Sequence, residues 1–191
     1  MDEASKEGIS EYQLIYPRVE GNSDDDIVMQ NDKVKVVFDH RTMEIKSMID
    51  KKTEKEMICQ PSGYFNYIKE NTRYSMTSWI VGEYMQVENL NRSRNVRIKE
   101  MSLDGIKKWI RYELDITDRS KLSVTVILCD NRELVEYETR VDFHEIGKRG
   151  EYIPQLSFSL PIAYEASTFR YDVPFGVIDR KGYLHDVPAN S

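Results

Sequence analysis

Along most of this chain apolar and polar residues take strict turns. Val34, Val36 and Phe38 alternate with Lys33, Lys35 and Asp39, and Met43, Ile45 and Ile49 continue the pattern after a turn at His40-Arg41-Thr42. Ile110, Tyr112, Leu114 and Ile116 alternate with Arg111, Glu113 and Asp115, and Leu122, Val124, Val126 and Leu128 share one face. Val135, Tyr137, Val141 and Phe143 lie opposite Glu136, Glu138, Arg140 and Asp142. Leu156, Phe158 and Leu160 sit between Pro154 and Pro161, and Tyr171, Val173, Phe175 and Val177 close the series. A period of two puts one face of each strand on a core and the other in water, the signature of antiparallel sheets. No window carries apolar residues at i, i+3, i+4 and i+7 for three turns, so almost no helix is expected beyond a single turn near residues 54–59. About ten strands in series, with no crossover helices between them, predict an all-β fold, an antiparallel β-sandwich.

Turn formers separate the runs: Asp118-Arg119-Ser120, Asp130-Asn131-Arg132 and Gly147-Lys148-Arg149-Gly150. Residues 1–26 are polar and end in Gly21-Asn22-Ser23-Asp24-Asp25-Asp26. They read as a loosely held arm, in which Tyr12, Leu14, Ile15 and Tyr16 offer an edge strand. Residues 27–191 read as the sandwich domain. No internal repeat has a fixed period.

The chain has 191 residues, 27 of them Lys or Arg and 33 Asp or Glu, for a net charge of −6. That balance repels phosphate backbones and acidic lipid, so neither nucleic acid nor membrane is an expected partner. No stretch has the roughly 18 uninterrupted apolar residues of a spanning helix. The start, Met1-Asp2-Glu3-Ala4-Ser5-Lys6-Glu7, has no basic and apolar leader. Cys59 and Cys129 make neither a disulfide framework nor a zinc site, and read as two reduced thiols in or near the core of a cytoplasmic protein.

Catalytic signatures are missing: no Gly-rich phosphate loop, no His-Glu-x-x-His, no Gly-x-Ser-x-Gly, no Cys-x-x-Cys. His40, His144 and His185 stand far apart, none with a second ligand at metal spacing. His144-Glu145 reads either as an acid/base pair or as a strand end whose polar residues bond a neighbouring loop; adjacent strand residues face opposite ways, which favours the strand end. Tyr64, Phe65, Tyr67, Tyr74, Trp79 and Tyr84 crowd into one stretch. Such rings either pack between sheets or stack on the apolar face of a sugar. Asn91-Arg92-Ser93 matches the N-glycosylation triplet, which carries no weight in a cytoplasmic protein.

Four stretches in order carry a family resemblance. The first is Asn31-Asp32-Lys33-Val34-Lys35-Val36-Val37-Phe38-Asp39, followed by Glu44-Ile45-Lys46-Ser47-Met48-Ile49-Asp50-Lys51-Lys52-Thr53. It resembles the opening hairpin of the C-terminal β-sandwich of the glycoside hydrolase family 38 α-mannosidases. Thr77-Ser78-Trp79-Ile80 resembles that family's Ala-Trp segment, and Val141-Asp142-Phe143-His144-Glu145 its Val-Asp-Trp-His-Glu. Tyr171-Asp172-Val173-Pro174-Phe175-Gly176-Val177-Ile178-Asp179-Arg180, with Asp186-Val187-Pro188-Ala189-Asn190, is similar to its Tyr-x-Ile-Pro-Phe-Gly-x-Ile-x-Arg and Val-Pro-Ala elements. Met43 and Glu54 depart from the pattern, standing where the family often has a turn glycine; those turns either avoid positive φ or accept strain. Phe143 replaces the usual Trp.

The resemblance implies a galactose-mutarotase-like supersandwich, truncated at its C-terminal end, from a retaining enzyme that hydrolyses α-mannosidic bonds. It implies that the nucleophile, the acid/base carboxyl and the zinc belong to the parent's N-terminal catalytic domain. This chain would then hold no catalytic residue, metal ligand or cofactor, and would support that domain along one side of the cleft for mannose-containing glycans. Arg180 matches an arginine that approaches the sugar pocket in some members, and its planar guanidinium suits sugar hydroxyls. An Arg–carboxylate pair at a strand end is the alternative. Two other functions stay open: a free-standing carbohydrate-binding module using Trp79 and its aromatic neighbours, and a purely structural interaction domain. A sandwich that stops partway leaves an edge uncovered, so self-association through that edge is expected.

Overall fold

The computed structural model describes residues 13–15, 26–72, 83–164 and 168–180. Among these residues fourteen strands run in chain order: β1 (Gln13–Ile15), β2 (Ile27–Gln30), β3 (Val34–Phe38), β4 (Ile45–Asp50), β5 (Lys55–Glu56), β6 (Tyr64–Asn71) and β7 (Tyr84–Asn89), then β8 (Arg97–Ser102), β9 (Lys107–Asp115), β10 (Lys121–Cys129), β11 (Val135–Asp142), β12 (Tyr152–Ser159), β13 (Phe169–Val173) and β14 (Gly176–Arg180). One short helix, α1 (Leu90–Ser93), interrupts the series. Three four-stranded sheets are ordered β2-β3-β4-β5, β1-β7-β6-β12 and β11-β10-β9-β8, and β13 and β14 form a separate hairpin. Every pairing is antiparallel except that of β1 with β7.

The alternation in the sequence becomes the core. Val34, Val36 and Phe38 from β3, Ile110, Tyr112 and Leu114 from β9, and Leu122, Val124, Val126 and Leu128 from β10 all point into one apolar cluster. Phe65 and Tyr67 of β6 meet them from the facing sheet. Each fully buried side chain of this size contributes about 1.5–3 kcal/mol relative to exposure. The result is an all-β sandwich, with its sheets held face to face by that cluster.

Asn31 joins two sheets through polar bonds. Its Oδ1 accepts from the backbone N–H of Lys33 and Val34, forming the β2–β3 turn, while Nδ2 donates to the carbonyls of Cys129 and Arg132 at 2.9 Å each. An Asx turn thus reaches across to the β10–β11 connection and donates to its carbonyls, adding to the bond that Cys129 O already accepts from Arg132 N.

The chain departs from its sequence pattern in four places. Residues 54–59 contain β5 rather than a helical turn. Glu56 Oε1 accepts from Met48 N, Glu56 Oε2 accepts from Ser47 Oγ, and the backbone pairs with β4, so bonds run across the sheet instead of back along the chain. Phe175 does not continue a strand. It occupies the tip of the β13–β14 hairpin beside Pro174 with φ of 71°, where proline followed by a positive φ makes a type II turn. Tyr171 and Val177, which the alternation placed on a core face, are exposed. Cys59 is exposed as well, and only Cys129 is half-buried; both are free thiols.

Met43 and Glu54 each take φ of 56°. The turns therefore keep the left-handed geometry that glycine adopts without a steric penalty, and accept the strain of a side chain there. Gln13–Ile15 docks as an edge strand, as the arm's apolar residues suggested; the rest of residues 1–25 lies outside the described residues.

Candidate functional site

The aromatic stretch is packing. Tyr64, Phe65, Tyr67 and Tyr84 are buried, which removes their faces from any ligand. Tyr74 and Trp79 lie outside the described residues. Beneath these rings sits a buried polar network. Asn91 is 1% exposed, accepts from Phe65 N at 2.9 Å and donates to the Thr42 carbonyl at 2.8 Å. Both ends of its amide are spent inside the protein, so the Asn91-Arg92-Ser93 triplet is a structural element and not a glycan acceptor in this fold. Next to it, Glu44 accepts from Asn89 Nδ2 at 2.7 Å and pairs with Arg92. Asn89 also caps α1, its side chain accepting from Arg92 N. That cap holds Arg92 on the short helix, facing Glu44.

A cavity of about 480 Å³ opens among three connections, with Lys33, Met48, Asp50, Lys51, Met57 and Glu133 in its wall. Its size suits a small ligand. Most of the polar groups named in its wall, however, are already engaged. Lys51 Nζ donates to Gln30 Oε1 and the Asn31 carbonyl, Asp50 accepts from Lys52 N and Thr53 Oγ1, and Lys33 pairs with Glu133 at 3.6 Å. The bond from the Thr53 hydroxyl, with that from Lys52 N–H, holds the Asp50 carboxyl below its ordinary range. A carboxylate held anionic by such donors is a poor general acid.

His144 and Glu145 stand where β11 has ended. His144 N donates to Ser120 Oγ, and its Nε2 lies 2.8 Å from Asp142. Glu145 Oε1 accepts from Thr117 Oγ1 at 2.7 Å and Ser120 Oγ at 2.9 Å, and Arg119 Nη2 lies 3.3 Å from Oε2. Both residues clasp the β9–β10 connection. The Thr117 bond first, then that of Ser120, lowers the Glu145 carboxyl from its usual value. The pair is a strand-end lock, and its two side chains serve different partners. His185 lies outside the described residues. Among the described residues no group of three or more His, Cys, Asp or Glu is placed to hold a metal ion, so they do not fit a zinc.

What projects from the body is the C-terminal hairpin. Its register sets Tyr171 opposite Ile178 and Phe169 opposite Arg180, so Phe169, Tyr171, Val173 and Ile178 share a face with the Arg180 position. The rings of Phe169 and Tyr171 lie 6.5 Å apart, and Arg170 pairs with Asp179 on the other face. Phe175 at the tip is fully exposed. Phe158, Leu160, Ile162 and Tyr164 are exposed beside the end of β12. The sequence pattern had Phe158, Leu160, Tyr171 and Phe175 facing a core. A clue to the contrary was present, because Pro154 within β12 cannot donate to a ladder and proline in a strand marks an edge. The Arg180 position therefore ends an exposed hairpin, while Trp79 lies outside the described residues.

Fold and surface together define an all-β sandwich domain with an exposed hairpin. Residues 29–186 match the model of the glycosyl hydrolases family 38 C-terminal domain. The chain belongs to that family and supplies a C-terminal β-sandwich domain of its glycoside hydrolases. No curated protein matches it.

Proposed function

We propose that this chain is the non-catalytic β-sandwich segment of a retaining α-mannosidase. It braces an N-terminal catalytic domain that carries the zinc and the reacting carboxylates, and it forms one side of the cleft that receives mannose-containing glycans. The observation that carries this reading is the β13–β14 hairpin. An isolated two-stranded hairpin is marginal in water, yet this one displays Phe169, Tyr171 and Phe175 to solvent. Exposed aromatics on a projecting hairpin suit a surface that another domain covers. The Arg180 position on the same face suits a fixed donor to sugar hydroxyls. The burial of Tyr64, Phe65, Tyr67 and Tyr84 weighs against a free-standing module built on that stretch.

An assay of α-mannoside hydrolysis, run on the chain alone and with a family 38 catalytic domain added, tests the reading. The chain alone is expected to show no turnover with or without zinc, and to bind the catalytic domain through the hairpin. Turnover by the chain alone overturns the proposal. So does a catalytic domain that binds a Phe169→Ser/Phe175→Gly variant as tightly as the unaltered chain.

A further inference from the structure

We infer that β11 is a self-pairing edge, and that two copies of this chain join β11 to β11 antiparallel about Thr139, extending the β11-β10-β9-β8 sheet into one sheet of both copies.

The edges of the three four-stranded sheets differ in what protects them. Among the described residues, β1 has three residues, β2 four and β5 two, too short for a stable new ladder. Strand β8 is bulged between Ile98 and Glu100, and β12 carries Pro154. Bulges, prolines and short length are three of the usual defences of an edge. Strand β11 has none of them: eight residues, VEYETRVD, in unbroken register with β10 and with their other side unpaired among the described residues.

Its side chains specify a register. Glu136, Glu138, Arg140 and Asp142 share the outer face. Glu136 is held by Arg132 and Asp142 by His144, but among the described residues neither Glu138 nor Arg140 has an ion pair. Both cores lie on the same side of a joined sheet only if like faces meet, so the two-fold axis must fall beside a residue. Centred on Glu138 or Arg140, that residue would oppose its own copy. Centred on Thr139, each unpaired Arg140 opposes the other copy's unpaired Glu138. Opposed charges of this kind stabilise a ladder and like charges destabilise it.

The inner face agrees. Val135 and Tyr137 pack on the core, yet Val141 and Phe143, of the same parity, are 42% and 37% exposed. The same register sets Val141 opposite the second copy's Tyr137, and Phe143 beyond the strand end opposite its Val135. Apolar residues that one copy leaves in water are thereby covered.

Sedimentation of the whole chain over a dilution series, with three variants, tests this pairing. The unaltered chain is expected to dimerise. Arg140→Glu, and equally Glu138→Arg, sets two like-charged pairs across the axis and should weaken the dimer roughly tenfold or more. The charge-swapped Glu138→Arg/Arg140→Glu variant should restore it. Far-UV circular dichroism checks that each variant folds. Amide exchange in the unaltered chain, needing no variant, should slow along β11 as concentration rises. A monomer at every concentration, a dimer indifferent to Arg140→Glu, or a charge swap that fails to restore association overturns the inference.

Discussion

Arg92 closes a forked ion pair on Glu44, with Nε 2.8 Å from Oε1 and Nη2 2.8 Å from Oε2. The two partners are not equally buried: the Glu44 side chain is 4% exposed and that of Arg92 20%. Losing the arginine leaves a carboxylate inside the protein with its charge uncompensated, whereas losing the glutamate leaves a guanidinium that can turn toward water. Arg92→Ala is therefore expected to cost about 3–5 kcal/mol, and Glu44→Gln, which keeps shape and a carbonyl for Asn89, distinctly less. Urea unfolding of both variants measures the order; equal costs would contradict this account.

Met43 and Glu54 share a left-handed φ but not an environment. Glu54 is exposed, so Glu54→Gly relieves strain without losing packing and should stabilise by about 0.5–1 kcal/mol. Met43 is fully buried. Met43→Gly relieves the same strain but removes a core side chain, and is expected to destabilise by about 2–4 kcal/mol. The opposite signs are read from thermal midpoints.

Gly63 admits no side chain. A Cβ there would lie 2.6 Å from Tyr137 Oη and 3.2 Å from Ile45 Cδ1, at a φ of 74°. Steric overlap and backbone strain add, so Gly63→Ala should lose about 2–4 kcal/mol. Pairing it with Tyr137→Phe, which removes the clashing oxygen, should recover part of that loss. Chemical denaturation of the single and double variants separates the two contributions.

Glu145 ties stability to acid. Its folded carboxyl titrates below the ordinary glutamate value of 4.5, because Thr117 and Ser120 donate to it. A depressed acid stabilises the fold above the unfolded value and loses that contribution as pH falls through the folded one. Glu145→Gln should thus unfold more easily than the unaltered chain near neutral pH, and the gap should close below pH 4.5. Urea midpoints across the acid range follow it, and a gap that stays constant with pH refutes the role.

The strand class, the turn positions and most of the core were legible in the residues, since a two-residue period needs only local information. Val36, Tyr112 and Val124 are buried where alternation put them. The opening hairpin also carried its family mark through Asn31, whose four side-chain hydrogen bonds explain why an asparagine suits that turn. Tyr171 and Val177 have the same alternation, but end in water. Period two states that a strand has two faces; it does not state that anything covers one of them.

Sequence alone thus determined the strand class and the family, and marked Met43 and Glu54 as turn positions, because each depends on side-chain type at short spacing. Tertiary structure alone decided which aromatics are packed and which project, that Asn91 is a buried brace, and that Glu145 locks a loop. Those outcomes depend on contacts between residues tens of positions apart, and the energy of a contact exists only once the chain has brought both partners together.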